Sequence, residues 1–262
     1  MNILDFQNRK LKGQKISMVT CYDYTFAKIL NESEVDCLLV GDSLAMVMHG
    51  YQTTLNATVE MMALHSAAVV RGAPKKLVVA DLPFMSYRKS LAENMSAIEQ
   101  IMRSGAHAVK LEGASGNLEV VRHCVDSGVP VMGHIGLTPQ SVHQLGGFRV
   151  QGRDEKAQKL IKQQALQLQE AGCFSLVLEC VPAALAQDIT KSLDIPTIGI
   201  GAGAGCDGQV LVLQDMLGMN QGFSPKFLRK YFNGFEEIKK AFNKYHSDVI
   251  HGEFPNEEES YS

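Results

Sequence analysis

The chain has no Cys-x-x-Cys pair, no apolar run long enough to span a bilayer, no low-complexity tract and little net charge. Each absence excludes something. Six cysteines (Cys21, Cys37, Cys124, Cys173, Cys180 and Cys206) lie scattered, four of them in apolar runs, which predicts reduced core thiols in a cytoplasmic protein. A net charge of -3 over 262 residues argues against a nucleic-acid footprint. The lack of a long apolar stretch argues against a membrane span. The first 15 residues are polar and lack the apolar core of a signal peptide, so none is expected. No Gly-x-Gly-x-x-Gly follows the first strand-like run, and the glycines from Gly201 to Gly205 lack the Gly-Lys-Ser/Thr ending of a phosphate loop. A tight turn explains that run equally well. His49 and His65 have no defensible metal-ligand spacing.

What remains is an ordinary globular composition, 45% apolar and 20% charged. A chain of this size buries roughly 75% of its unfolded surface and needs no staples. Strand-like runs recur at residues 16–22, 36–40, 77–80, 106–111, 130–134, 175–178, 196–200 and 209–213, and helical patterns lead into seven of them. Ser90 with Glu93 makes a capping box, and residues 154–171 place Ala157, Leu160, Ile161, Ala165 and Leu168 on one helical face. This alternation predicts an α/β fold, a (β/α)8 barrel in a single domain over residues 1–262. A helix and loop (residues 1–15) precede it, and a C-terminal helix from residue 225 to about 245 and an acidic tail follow. An open doubly wound sheet is the competing architecture.

The polar residues fall where a barrel builds its sites. Val109-Lys110-Leu111-Glu112-Gly113 ends an apolar run, and alternation puts Lys110 and Glu112 on one face. A strand covered on both faces should be apolar nearly throughout, so the pair is a break in the pattern. Similar breaks occur at Asp23, Asp42, Asp81, His134 and Glu179, and the carboxyl ends of barrel strands converge. Singly, each has an ordinary explanation: Asp23 and Asp42 as helix caps, His134 as a satisfied core histidine. Together, several carboxylates facing one pocket require a cation or raised pKa values. Oxygen donors without a His or Cys cluster suit Mg²⁺ better than zinc, and Asp42, Asp81 and Glu112 are the candidate ligands. Lys110 offers positive charge to an anionic substrate such as a carboxylate. A divalent ion polarising a keto oxygen lowers the cost of an enolate, and Glu179, with His134 next in line, is the candidate base.

Six segments resemble ketopantoate hydroxymethyltransferases: Leu39-Val40-Gly41-Asp42-Ser43-Leu44, Val79-Ala80-Asp81-Leu82-Pro83-Phe84, Val109-Lys110-Leu111-Glu112-Gly113, Gly133-His134-Ile135-Gly136-Leu137-Thr138-Pro139-Gln140, Leu178-Glu179-Cys180-Val181-Pro182, and Gly199-Ile200-Gly201-Ala202-Gly203 with Asp207-Gly208-Gln209. They keep one order from about Val19 to Phe254. The resemblance implies a (β/α)8 barrel in a homo-oligomer, a decamer in many members. It also implies transfer of a hydroxymethyl group from the co-substrate 5,10-methylenetetrahydrofolate to 3-methyl-2-oxobutanoate, giving 2-dehydropantoate for pantothenate and coenzyme A. One Mg²⁺ per subunit would be held by Asp42, Asp81 and Glu112. Asp42, Ser43, Asp81 and Lys110 would contact the keto acid, and Glu179 would accept the proton. Ala45 and Ala114 stand where many members have glycine, which would shift a loop if either position needed positive φ. Two other readings are a carbon–carbon lyase or mutase of the phosphoenolpyruvate/pyruvate barrel type and a non-catalytic keto-acid-binding barrel.

Overall fold

A computed structural model describes residues 1–261. Eight parallel strands close into a barrel in sequence order: β1 (Ile16–Thr20), β2 (Cys37–Val40), β3 (Leu77–Asp81), β4 (Ala108–Glu112), β5 (Val131–Gly136), β6 (Ser175–Glu179), β7 (Thr197–Ile200) and β8 (Gly208–Leu211), with β8 pairing back onto β1. The expected barrel is the observed one. No strand end moved by more than two residues. β1 stops at Thr20, because Asp23 accepts the amides of Thr25 (2.8 Å) and Phe26 (2.9 Å) and so starts the helix Tyr24–Asn31. Asp23 is therefore a helix cap. The eighth strand, expected over 209–213, ends at Leu211.

Alternation explains both the core and the site. Ile16, Met18, Cys37, Leu39, Leu77, Val79, Ala108, Met132, Val177, Ile198 and Val210 form a buried apolar cluster. Two residues beyond Val79, Ala108, Met132 and Val177 on the same strand faces come Asp81, Lys110, His134 and Glu179. The same inward face thus passes from hydrocarbon to charge as the strands approach their carboxyl ends. At the other end the helix Ile3–Leu11, capped by Asn2, inserts Phe6, which is 0% exposed and meets the Phe174 ring edge-on at 5.4 Å. Burying such a side chain contributes about 1.5–3 kcal/mol.

Around the barrel, the Ser90–Glu93 capping box forms as expected. The helix Glu155–Glu170 buries Ile161, Ala165 and Leu168, while Leu160, expected on the same stripe, is 53% exposed because the seam is narrower than the apolar pattern. Glycines link β7 to β8 without a helix. A Cβ on Gly203 (φ +78°) would meet that of Ala183 at 2.5 Å, so close packing accounts for this glycine.

The barrel lies within residues 1–211, and residues 212–261 form a second compact unit. Its helix, expected from residue 225, runs from Gly234 to Ile250; Tyr231 and Gly234 instead donate their amides to Met216 (2.7 Å) and Leu217 (2.8 Å), holding the preceding segment in a turn. No described helix is long and apolar enough to cross a membrane.

Candidate active site

Register decides which polar side chains meet. Asp81 pairs with Lys110 across β3 and β4, Glu112 with His134 across β4 and β5, and Gly136 with Glu179 across β5 and β6. Lys110 Nζ lies 3.0 Å from Asp81 Oδ1 and 3.2 Å from His134 Nδ1. His134 Nδ1 is 3.5 Å from Glu112 Oε1, and its Nε2 is 3.2 Å from Glu179 Oε2. Asp42, in the turn after β2, donates its backbone amide to Asp81 Oδ2 at 3.0 Å. Nearby, Ser43 Oγ shares a 2.7 Å hydrogen bond with the Tyr22 hydroxyl. The geometry brings all six proposed residues, Asp42, Ser43, Asp81, Lys110, Glu112 and Glu179, to one end of the barrel, with His134 between the last two.

Asp42, Asp81, Lys110, Glu112 and His134 are buried, whereas Glu179 is half-buried. Burial, joined by the charges of Asp81 and Glu112, pushes the Asp42 carboxyl well above the ordinary carboxylate range. Burial also raises Asp81, but Lys110 beside it opposes the shift. For Lys110, burial alone would favour the neutral amine; the carboxylates of Asp81, Glu112 and Asp42 reverse this and hold it protonated. Burial and Lys110 disfavour protonated His134, but the carboxylates of Glu112 and Glu179 beside it prevail and lift its pKa to about 9.

Two residues that sequence patterns did not flag complete the pocket. Gln140 follows β5 in a short 3-10 turn, Pro139–Ser141, and reaches Asp42, Leu82, Tyr87 and Glu112. Tyr87 lies in the loop after β3, buried. Neither sits in a periodic element, and Gln140 stood out only as the last residue of a matched segment.

The backbone is adapted at the strand ends. A Cβ on Gly136 (φ +94°) would collide with the Glu179 carbonyl oxygen, so glycine is required for β6 to end where it does. Cys180, directly after Glu179, takes φ +47°, a conformation that L residues adopt at a cost of about 1–3 kcal/mol. Ala45 and Ala114 have no positive φ, so the anticipated strain falls instead on Cys180 and on Met85 (φ +63°).

Among the described residues, no three His, Cys, Asp or Glu side chains converge closely enough to form a ready-made metal cage. Asp42 and Asp81 are held through the Asp42 amide, and Glu112 is joined to Asp42 through Gln140. The donor chemistry nonetheless fits a hard divalent cation. Among the described residues, the ion pairs of Asp81, Glu112 and Glu179 are with Lys110 and His134, and Asp42 senses the Lys110 charge; Mg²⁺ keeps several waters and needs only one or two protein carboxylates.

A closed parallel barrel with carboxylates, a lysine and a histidine gathered at the carboxyl ends of its strands is the architecture of a barrel enzyme. The chain belongs to the ketopantoate hydroxymethyltransferase family, whose sequence model matches residues 1–257, and it is accordingly a transferase. It is 69% identical over 260 residues to the 3-methyl-2-oxobutanoate hydroxymethyltransferase of Bdellovibrio bacteriovorus, covering 99% of both chains. It is 55% identical to the enzyme of that name from Francisella tularensis subsp. tularensis, covering 99% of this chain and 98% of the other. Among solved structures, a 2,3-dimethylmalate lyase of the PEP mutase/isocitrate lyase superfamily superposes with a TM-score of 0.60 over 98% of this chain and 91% of the lyase. Its 14% identity makes this a likeness of fold alone.

Proposed function

We propose that the chain transfers a hydroxymethyl group from 5,10-methylenetetrahydrofolate to 3-methyl-2-oxobutanoate, giving 2-dehydropantoate for pantothenate biosynthesis. The full-length relatives bearing that enzyme name support the acceptor. The observation that carries the site assignment is the unbroken series of polar contacts Asp42–Asp81–Lys110–His134–Glu179, drawn from five successive strand ends. Mg²⁺ would be held by Asp42, Asp81 and Glu112, and when bound it supplies positive charge at the keto oxygen that acidifies the C3 proton.

The chain's own residues then have separable tasks. The Lys110 ammonium attracts the substrate carboxylate, and Asp42, Ser43 and Asp81 orient the keto acid beside it. Glu179, half-buried and outside the Asp42–Asp81–Lys110 cluster, takes the C3 proton. His134, 3.2 Å from Glu179 Oε2, holds that carboxylate in place. Turnover of 3-methyl-2-oxobutanoate with methylenetetrahydrofolate and Mg²⁺ tests the reading; a product other than 2-dehydropantoate, or folate-independent carbon–carbon cleavage, would overturn it.

The same reading includes a cytoplasmic homo-oligomer, a decamer. Six free cysteines fit a reducing compartment. Phe235, Ile238, Phe242, Tyr245 and Val249 are exposed along Gly234–Ile250 at alternating spacings of three and four, a stripe suited to packing against another copy. Sedimentation of the purified protein as a monomer would contradict the assembly.

A further inference from the structure

Gln140 makes four hydrogen bonds inside the pocket, and the chemistry of its partners fixes which way its amide points. Its Nε2 lies 2.8 Å from Asp42 Oδ2 and 2.9 Å from the Leu82 carbonyl oxygen. The carbonyl oxygen can only accept, so the nitrogen must face it. Its Oε1 lies 2.6 Å from the Tyr87 hydroxyl. That hydroxyl already accepts the Glu112 amide at 3.3 Å, which leaves its proton for Gln140. The Gln140 backbone amide donates to Glu112 Oε2 at 2.9 Å. One residue, 6% exposed, thus grips one oxygen of Asp42 with its side chain and one oxygen of Glu112 with its backbone.

We propose that Gln140 is a positioning residue, which sets the rotamer of Asp42 and couples it to Glu112 through the turn after β5. The inference rests on the reading of Asp42 and Glu112 as cation ligands. Partners that orient a ligating carboxylate change metal affinity or activity about 10–100-fold when removed. Gln140→Met keeps the length and volume but cannot donate to Asp42 or Leu82, while the backbone bond to Glu112 survives.

The test is a double-mutant cycle with Asp42→Asn. The readouts are Mn²⁺ affinity of the substrate-free protein, by electron paramagnetic resonance, and exchange of the keto acid's C3 proton into deuterated water. Gln140→Met should weaken Mn²⁺ binding and slow exchange about 10–100-fold in the parent. It should add little on top of Asp42→Asn, because the carboxylate it positions is gone. An undiminished loss in the Asp42→Asn background would show that Gln140 merely anchors Leu82 and Tyr87, and would overturn the proposal. Parental behaviour of Gln140→Met alongside a damaged Asp42→Asn would overturn it too, while leaving the site reading intact. If Asp42→Asn itself binds Mn²⁺ and exchanges the proton as the parent does, the site reading fails and the proposal with it. Should Gln140→Met not fold, Tyr87→Phe removes the hydroxyl that holds Oε1 and should give a smaller loss that again vanishes in the Asp42→Asn background. No loss with Tyr87→Phe would then count against the proposal.

Discussion

Asp81 and Lys110 are register partners on neighbouring strands, and their side chains form a 3.0 Å ion pair with only about 4–5% of either exposed. Removing one member of such a pair leaves the other charge buried without its partner, at a cost of about 3–5 kcal/mol. Lys110→Met should lower stability by that amount in chemical denaturation. By calorimetry it should weaken keto-acid binding more than metal binding. A variant with parental keto-acid affinity would reduce Lys110 to a structural ion.

Phe6 tests the closed end of the barrel independently of the chemistry. It is fully buried against Ile16, Met18, Leu77 and their neighbours. Phe6→Ala should cost about 3–5 kcal/mol, while the folded fraction keeps parental kcat, since the pocket lies at the opposite strand ends. A loss below about 1 kcal/mol would show that the helix Ile3–Leu11 does not seal the core.

His107 gives the stability a pH dependence away from the pocket. Its Nδ1 accepts the Val78 amide at 3.0 Å, which only an unprotonated nitrogen can do. Burial lowers its pKa below the ordinary histidine value. A depressed folded-state pKa contributes stability above the unfolded value, near 6.5, that is lost as pH falls through the folded one. The drop in melting temperature from about pH 7.5 to acid should therefore be smaller in His107→Asn than in the parent. Equal drops would remove His107 from the account.

The barrel was legible because eight apolar runs and their lead-in helices repeat, and the charged pocket because Asp81, Lys110, Glu112 and Glu179 interrupt runs that should be apolar. What periodicity could not give was the closing side of the pocket. Gln140 and Tyr87 lie in irregular segments, where neither a period of two nor of 3.6 marks an inward side chain. Strand ends slipped by a few residues for a related reason: the Asp23 cap that stops β1 competes with strand propensity locally. The C-terminal helix began nine residues late because hydrogen bonds from Tyr231 and Gly234 back to Met216 and Leu217 fix the chain before it, a constraint no local pattern carries.

The oxygen-only donor set makes the proposed metal requirement testable by removal. Exhaustive treatment with a chelator should abolish activity, and Mg²⁺ should restore it. Full activity in protein verified as metal-free would eliminate the metal from the mechanism, and restoration by Zn²⁺ but not by Mg²⁺ would refute the assignment of hard oxygen ligands.

Glu179 bears the central claim, since the proposed reaction starts only when a base reaches C3. Its Oε2 lies 3.2 Å from His134 Nε2, and its strand end is set by the Gly136 register. Glu179→Gln keeps the shape and removes the proposed base, and such a group typically contributes about 10²–10⁴-fold. The most direct measurement is exchange of the C3 proton of 3-methyl-2-oxobutanoate into deuterated water, with Mg²⁺ and without folate. The account predicts exchange slowed by about that factor in Glu179→Gln, with keto-acid binding retained. Exchange at the parental rate would contradict it and pass the role to His134.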